Sequence, residues 1–278
     1  MKLFTSQMQT AQVANFTFSG MRPEKLGATE YTLVTLVVDK TGSVTGSEAE
    51  LLAVKRAVVA ACRKSPRANY LMLRSVEFNE RIDEVHGFVE LNTVDPAGYT
   101  APRCSGTTAL YDATFAAVAA TNAYAHTLAD NDFAANGLVV VVTDGEDNAS
   151  AQTPATVARE IGRGVGNEWL ESLNVILVGV NARSCRRALD RFRQAAGLAQ
   201  YVDVADATAQ NLARLADFVA RSIASQSQSL GSGGTSSVDQ SQTVADAVDV
   251  GVHREDRPAQ REQEHTGGGL RAHSGQRR

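Results

Sequence analysis

Three short stretches of the chain put hard oxygen donors where an apolar run stops. The first is Val37-Val38-Asp39-Lys40-Thr41-Gly42-Ser43-Val44, in which an acid is followed by hydroxyl residues at alternate positions. Alternate residues of a loop turn the same way, so Asp39, Thr41 and Ser43 can present three oxygens to one point, and Gly42 lets the backbone come close. The second is Gly106-Thr107-Thr108-Ala109-Leu110-Tyr111-Asp112, a hydroxyl pair at the start of an expected helix, and either threonine could serve. The third is Val140-Val141-Val142-Thr143-Asp144-Gly145. Two carboxylates and three hydroxyls form an oxygen-only donor set, suited to Mg²⁺ or Mn²⁺ and not to a zinc-like site. Two negative charges neutralise a divalent ion without saturating it, which leaves it electrophilic at a free position.

Buried strands must position these groups. Residues 33–38 are rich in β-branched side chains and too short for a free-standing helix, so they read as a strand buried on both faces, with Asp39 at its carboxyl end. Residues 138–143 read the same way and deliver Asp144. Ser47 and Glu50 have capping-box spacing, and Leu51, Val54, Val58 and Cys62 give the helix after them one apolar face until Ser65-Pro66 stops it. Residues 70–78 and 82–91 flank a turn at Asn79-Glu80 and form an expected antiparallel pair. A long Pro- and Gly-bearing loop, 92–106, leads into the hydroxyl pair and a helix over 109–128. Thr153-Pro154 opens another helix, which the glycines at 162–166 end. A strand at 174–180, a helix with Leu189, Phe192 and Ala196 inward, a strand at 201–204 and a last helix carrying Leu212, Leu215, Val219 and Ile223 follow.

This alternation predicts an α/β fold: a Rossmann-like, doubly wound, mostly parallel sheet with one antiparallel edge strand and helices on both faces. Ligands of such sheets sit outside the carboxyl ends of the strands where strand order reverses, a crevice that Asp39 and Asp144 would flank. The folded domain is expected over 30–224. Residues 1–29 read as an N-terminal arm, with Phe16 and Phe18 alternating, and 225–278 as a disordered tail, Ser/Gln/Gly-rich and then Arg/Glu/Gly-rich.

Asp-x-Thr-x-Ser, then Thr, then Thr-Asp-Gly, in that order and context, resembles the metal-ion-dependent adhesion site of von Willebrand factor A domains. The family's first motif usually reads Asp-x-Ser-x-Ser; Thr41 keeps the hydroxyl oxygen and adds a methyl group. The family commonly places its threonine immediately before a segment like Ala109-Leu110-Tyr111-Asp112, which selects Thr108 over Thr107. The resemblance therefore implies a metal site of Asp39, Thr41, Ser43, Thr108 and Asp144 holding Mg²⁺ or Mn²⁺. It also implies a non-enzymatic module that grips a partner protein through a carboxylate supplied to the metal. The stretches Gly27-Ala28-Thr29-Glu30-Tyr31 and Thr108-Ala109-Leu110-Tyr111-Asp112-Ala113 look like compact prokaryotic and phage members. Intracellular members often work beside AAA+ ATPases in assembly, metal insertion or stress response, so such an ATPase is a candidate partner. Asp112, Glu146 and Asp147 read as solvated or supporting groups, with Asp147 nearest to being a ligand.

Composition narrows the classes further. A net charge of −4 with both signs interspersed argues against nucleic acid or an anionic membrane as the main partner. The 43% hydrophobic content suffices for a core, and no run reaches the length of a membrane span or signal-peptide core, so a cytoplasmic protein is expected. Cys62, Cys104 and Cys185 are odd in number and far apart, which speaks for free thiols. His86, His126 and Trp169 lack ligand spacing, and Gly162-x-Gly164-x-Gly166 follows a helix instead of opening one after a strand. Two alternatives stand beside the binding module. A haloacid-dehalogenase-like, Mg²⁺-dependent phosphatase would need an acid where Thr41 stands, and an extracellular adhesin would need export.

Overall fold

The computed structural model describes residues 5–206 and 208–232. A strand with no polar face has to be covered on both sides, and β3 (Glu30–Asp39) is such a strand, buried along nearly its whole length. It pairs in parallel with β4 (Leu71–Phe78) on one side and β6 (Ala134–Thr143) on the other. β7 (Ser172–Val180) pairs in parallel with β6, and β8 (Gln200–Val204) with β7. After the turn at Asn79, β5 (Ile82–Glu90) returns antiparallel to β4, as the short connection requires.

The sheet continues beyond β5. Within the stretch read as an arm, β1 (Met8–Val13) and β2 (Phe16–Met21) form a hairpin, and β2 runs parallel to β5 through Gly20 and Phe88. The full order is β1-β2-β5-β4-β3-β6-β7-β8. Phe18 meets Phe88 edge-on at 6.5 Å, and Phe88 stacks on Tyr124 at 4.7 Å. A Cβ on Gly20 would lie 2.6 Å from the Tyr124 ring, so glycine is what lets that ring reach the strand and donate from its hydroxyl to Met21 O at 2.8 Å.

Among the described residues five helices cover the sheet: α1 (Glu48–Lys64), α2 (Leu110–Ala129), α3 (Pro154–Gly166), α4 (Arg186–Ala196) and α5 (Ala209–Ser232). α1 packs on α5, while α2, α3 and α4 lie side by side, giving the two-sided cover of a doubly wound fold. Val37, Val139, Val141, Val175 and Leu177 alternate along three strands and meet Leu110, Val118, Val157, Leu189 and Phe192 from α2, α3 and α4. Each such side chain contributes roughly 1.5–3 kcal/mol by leaving water.

Three details differ from the sequence expectation. Ser47 makes no side-chain cap on α1; the Glu50 carboxylate that would have reached back to it instead accepts from Asn181 Nδ2 at 2.7 Å. α3 has the capping box, Thr153 with Thr156, and runs through Gly162 and Gly164 to end at Gly166. α5 continues past residue 224 to Ser232, and the remainder of the expected tail, 233–278, lies outside the described residues.

Candidate metal centre

β3 and β6 end side by side, so Asp39 and the Thr143-Asp144 pair emerge together at the carboxyl edge of the sheet, where strand order reverses. Asp39 is fully buried. Its Oδ1 accepts from Thr41 N at 2.8 Å and its Oδ2 from the Thr143 hydroxyl at 2.6 Å. The first bond folds the loop back on itself, which turns Thr41 and Ser43 toward each other, Oγ1 to Oγ 2.9 Å. Ser43 Oγ also donates to Asp144 Oδ1 at 2.8 Å. Four of the five expected residues thus form one hydrogen-bonded chain running from one carboxylate to the other.

The fifth arrives on the loop before α2. Thr108 is buried and Thr107 exposed, with the Thr107 amide donating to the Glu80 carboxylate at 3.3 Å. A methyl group on Gly145 would meet Ser43 Oγ at 3.6 Å and Thr108 Oγ1 at 3.9 Å, so both hydroxyls converge on the space that this glycine leaves open. The structure therefore brings Asp39, Thr41, Ser43, Thr108 and Asp144 together and leaves Thr107 on the rim. Gly42 N donates to Gly106 O at 3.0 Å and Ser105 N to Lys40 O at 2.8 Å, which sews the first loop to the second. Gly106 has φ +82°, a conformation that favours glycine, and a Cβ there would run into Glu80.

The supports were harder to see in advance. Asn148 Oδ1 accepts from Thr108 N at 2.8 Å while Asn148 N donates to Thr108 O at 2.9 Å, a two-way clamp on the Thr108 backbone. Asp147 accepts from Tyr111 N and the Ser150 hydroxyl, and Asp112 accepts from Ala151 N and Gln152 N. Asp112 and Asp147 thus brace the backbone where the second and third loops meet. On the other side Asn79 donates to Ser105 O at 3.0 Å, and its own carbonyl accepts from Ala109 N at 3.2 Å. Asp112 and Asp147 were expected as solvated or supporting groups; for Asn148 and Asn79 the signal was only a polar loop after a strand end, a composition common to most turns.

Burial pushes the Asp39 carboxyl above the ordinary carboxylate range, against the pull of its bonds from Thr143 and Thr41; the neighbouring Asp144 charge adds to the rise. Burial raises Asp144 too, opposed by its bond from Ser43. Among the described residues neither carboxylate has a Lys, Arg or His ion partner: Lys40 pairs with Asp83 and Lys55 with Glu77. No group of three or more His, Cys, Asp or Glu side chains among the described residues is placed to hold a metal, so an ion here would depend on the hydroxyls. The donor set fits that demand. Each carboxylate oxygen has two lone pairs, so the hydrogen bonds above leave acceptor capacity on both acids, and the hydroxyls can redirect their protons.

The cysteines are free, and none belongs to this donor set. Cys185, just before α4, donates to Asp144 O at 3.0 Å. Burial holds the Cys104 thiol up at about 11 and the Cys62 thiol up at about 12, so both are protonated at neutral pH.

No family model and no curated protein sequence matches the chain. Solved structures do. The D319A mutant of the PilB minor pilin from Streptococcus sanguinis superposes with a TM-score of 0.50 at 12% identity, covering 78% of this chain and 66% of the pilin chain. The chain has a von Willebrand factor A-like fold. Two further matches to this A-type domain are the pilus adhesin SpaC from Lactobacillus rhamnosus GG and a mussel byssus protein. SpaC gives a TM-score of 0.48 at 12% identity over 78% of this chain. Proximal thread matrix protein 1, solved with a zinc-occupied MIDAS motif, gives 0.48 at 14% over 70% of this chain. The A-type domain described here spans only 34% of the SpaC chain and 46% of the byssus protein. Among its described residues no helix is long and apolar enough to cross a membrane.

Proposed function

We propose that the domain is a non-enzymatic, metal-dependent protein-binding module. In this reading Asp39, Thr41, Ser43, Thr108 and Asp144 hold Mg²⁺ or Mn²⁺, and a partner protein supplies a carboxylate to the ion. One observation carries it: two buried or half-buried carboxylates face each other through Ser43 and Thr41, with no basic side chain of the described protein to neutralise them. A buried, unpaired carboxylate costs several kcal/mol, in the region of ~2–7 kcal/mol for a polar group and more for an ion, so such a pair calls for a cation or a proton. Hydroxyl and carboxylate oxygens select a hard cation. When bound, the ion would supply an electrophilic coordination position. In this reading the chain's own residues would orient that position beside Gly145, whose missing side chain leaves unfilled the space bordered by Ser43 Oγ and Thr108 Oγ1.

The phosphatase alternative lacks support from this geometry, since Thr41 presents a hydroxyl to Ser43 where that chemistry needs a second acid, and Lys40 and Lys55 are engaged by Asp83 and Glu77. The test is calorimetric titration of Mg²⁺ and Mn²⁺ into metal-free full-length protein, with Asp39→Ala and Asp144→Ala as variants checked for folding by circular dichroism. Heat of binding in the wild type, lost in both folded variants, is the expected result. A wild type that binds neither ion would sink the metal reading, and unchanged binding in the variants would move the site elsewhere.

A further inference from the structure

Resting on that reading, the charge around the site narrows the partner. The β7–α4 turn reaches the site through the Cys185 bond to Asp144 O. From this turn onward Arg183, Arg186, Arg187 and Arg191 are all exposed. Arg186 approaches Asp203 at 4.0 Å and the Arg183 charge acts on Asp206, while the side chains of Arg187 and Arg191 form no hydrogen bond or ion pair among the described residues. Arg187 and Arg191 stand one helical turn apart, on the same side of α4, away from the inward Leu189, Phe192 and Ala196. The Tyr111 ring packs at 4.5 Å on Phe192, and while burial raises the pKa of its hydroxyl, Arg191 lies close enough to oppose that rise. Tyr111 follows Thr108 by three residues, so α4 borders the site directly.

The opposite side carries mixed charge, with exposed Arg81 beside Glu80 and exposed Arg103 on the loop leading to Thr107. β4 and β7 lie on opposite sides of the β3–β6 pair, and from the β4 end the exposed Glu80 leans on the Thr107 amide. Exposed Glu146 sits on the loop between. A protein of net charge −4 that sets Arg187 and Arg191, without acidic partners among the described residues, on one flank of an acidic site offers that flank to further anionic groups. We infer that the partner is an acidic protein segment, with one carboxylate at the Asp39–Asp144 site and further acidic side chains laid along Arg187 and Arg191, away from Glu80. The flank would orient that segment as well as attract it. A nucleic-acid backbone would have to pass Glu80 and Glu146 and fits this arrangement less well.

The test uses full-length protein and two labelled Gly/Ser decapeptides, one bearing a single aspartate and one bearing four in succession, read by fluorescence anisotropy at about 0.15 M salt. With Mg²⁺ present the four-aspartate peptide should bind more tightly. The double variant Arg187→Glu/Arg191→Glu should lose about tenfold of that advantage, with single-aspartate binding and the thermal midpoint unchanged. Binding that survives in chelator overturns the metal reading. Metal-dependent binding whose acidic advantage survives the charge reversal overturns the arginine surface alone. Failure of both peptides to bind overturns both. Displacement of the four-aspartate peptide by an oligothymidylate, from wild type but not from the double variant, would replace the acidic segment with a polyphosphate.

Discussion

Replacing Thr41 by Val separates the chemistry of the site from its architecture. Thr41 is 1% exposed, and Val fills nearly the same space, so the packing of its methyl branch survives. What disappears is Oγ1 and its 2.9 Å bond with Ser43. Ser43 keeps its 2.8 Å bond to Asp144, so no donor is orphaned and the loss of stability should stay near 1 kcal/mol. For a domain of this size that is a fall of about 2–4 °C in thermal midpoint. Affinity should suffer more, because one of the five proposed donors is gone: at least about tenfold in Kd, or ~1.4 kcal/mol. Thr41→Ser is the complement. It keeps the oxygen and gives up one buried methyl, so it should lose about 1 kcal/mol of stability while Mg²⁺ affinity stays within about twofold. Calorimetry for the ion and urea denaturation for the fold read the two quantities independently. A folded Val variant that titrates like the wild type would show that the Thr41 hydroxyl is no ligand, and the proposed donor set would be wrong.

Asn148→Ala breaks the clamp on Thr108; because Asn148 is exposed, water replaces part of it, so stability should drop by about 1 kcal/mol. Mg²⁺ affinity should fall in the same variant, and an unchanged affinity by calorimetry would mean that Thr108 needs no clamp. Glu84→Ala removes the carboxylate that pairs with buried Arg74 at 2.8 Å and accepts from Ser19 N at 3.0 Å, which strands a guanidinium and loosens β2 from the sheet. The expected loss is about 3 kcal/mol in urea denaturation, with faster proteolysis within 8–21; a loss under about 1 kcal/mol would contradict a buried pair. Burial depresses the His86 pKa below its ordinary value of about 6.5. Below about pH 6.5 the unfolded chain therefore binds more protons than the folded one, and stability falls as pH drops toward the folded pKa. His86→Gln should flatten the decline in thermal midpoint between about pH 7 and about pH 5.5, and equal slopes in the two proteins would rule His86 out as its source.

The centre of the fold was legible because it is simple physics: runs such as 138–142 contain no polar residue, so their burial between two layers of helices was the only stable outcome. The place of Asp39 and Asp144 was legible for a related reason, since a charged residue that ends such a run has to sit at a strand's carboxyl edge. The outer hairpin was not. Phe16 and Phe18 are too few to announce a strand, and the burial of Phe18 goes with Gly20 admitting Tyr124, whose hydroxyl bonds Met21 O from 103 positions along the chain. Ser47 shows the converse failure: a locally sufficient cap is outbid by Asn181, 131 positions from Glu50. Asn148 was invisible because its value depends on where Thr108 arrives, and a side-chain amide in a turn has many local uses.

Thr143 and Asp39, joined by a hydroxyl–carboxylate bond, are 104 positions apart, and Thr108 comes from a third loop between them. An unfolded chain holds no such arrangement, and parallel strands must close long loops before it exists. Anything that occupies the cleft therefore binds only the native state, and by mass action deepens the native well by about 2.7 kcal/mol at a hundredfold excess over Kd. The abundance of a ligand would then govern how long each molecule lasts against unfolding and proteolysis, so that a cell supplying the ligand would also be conserving the protein.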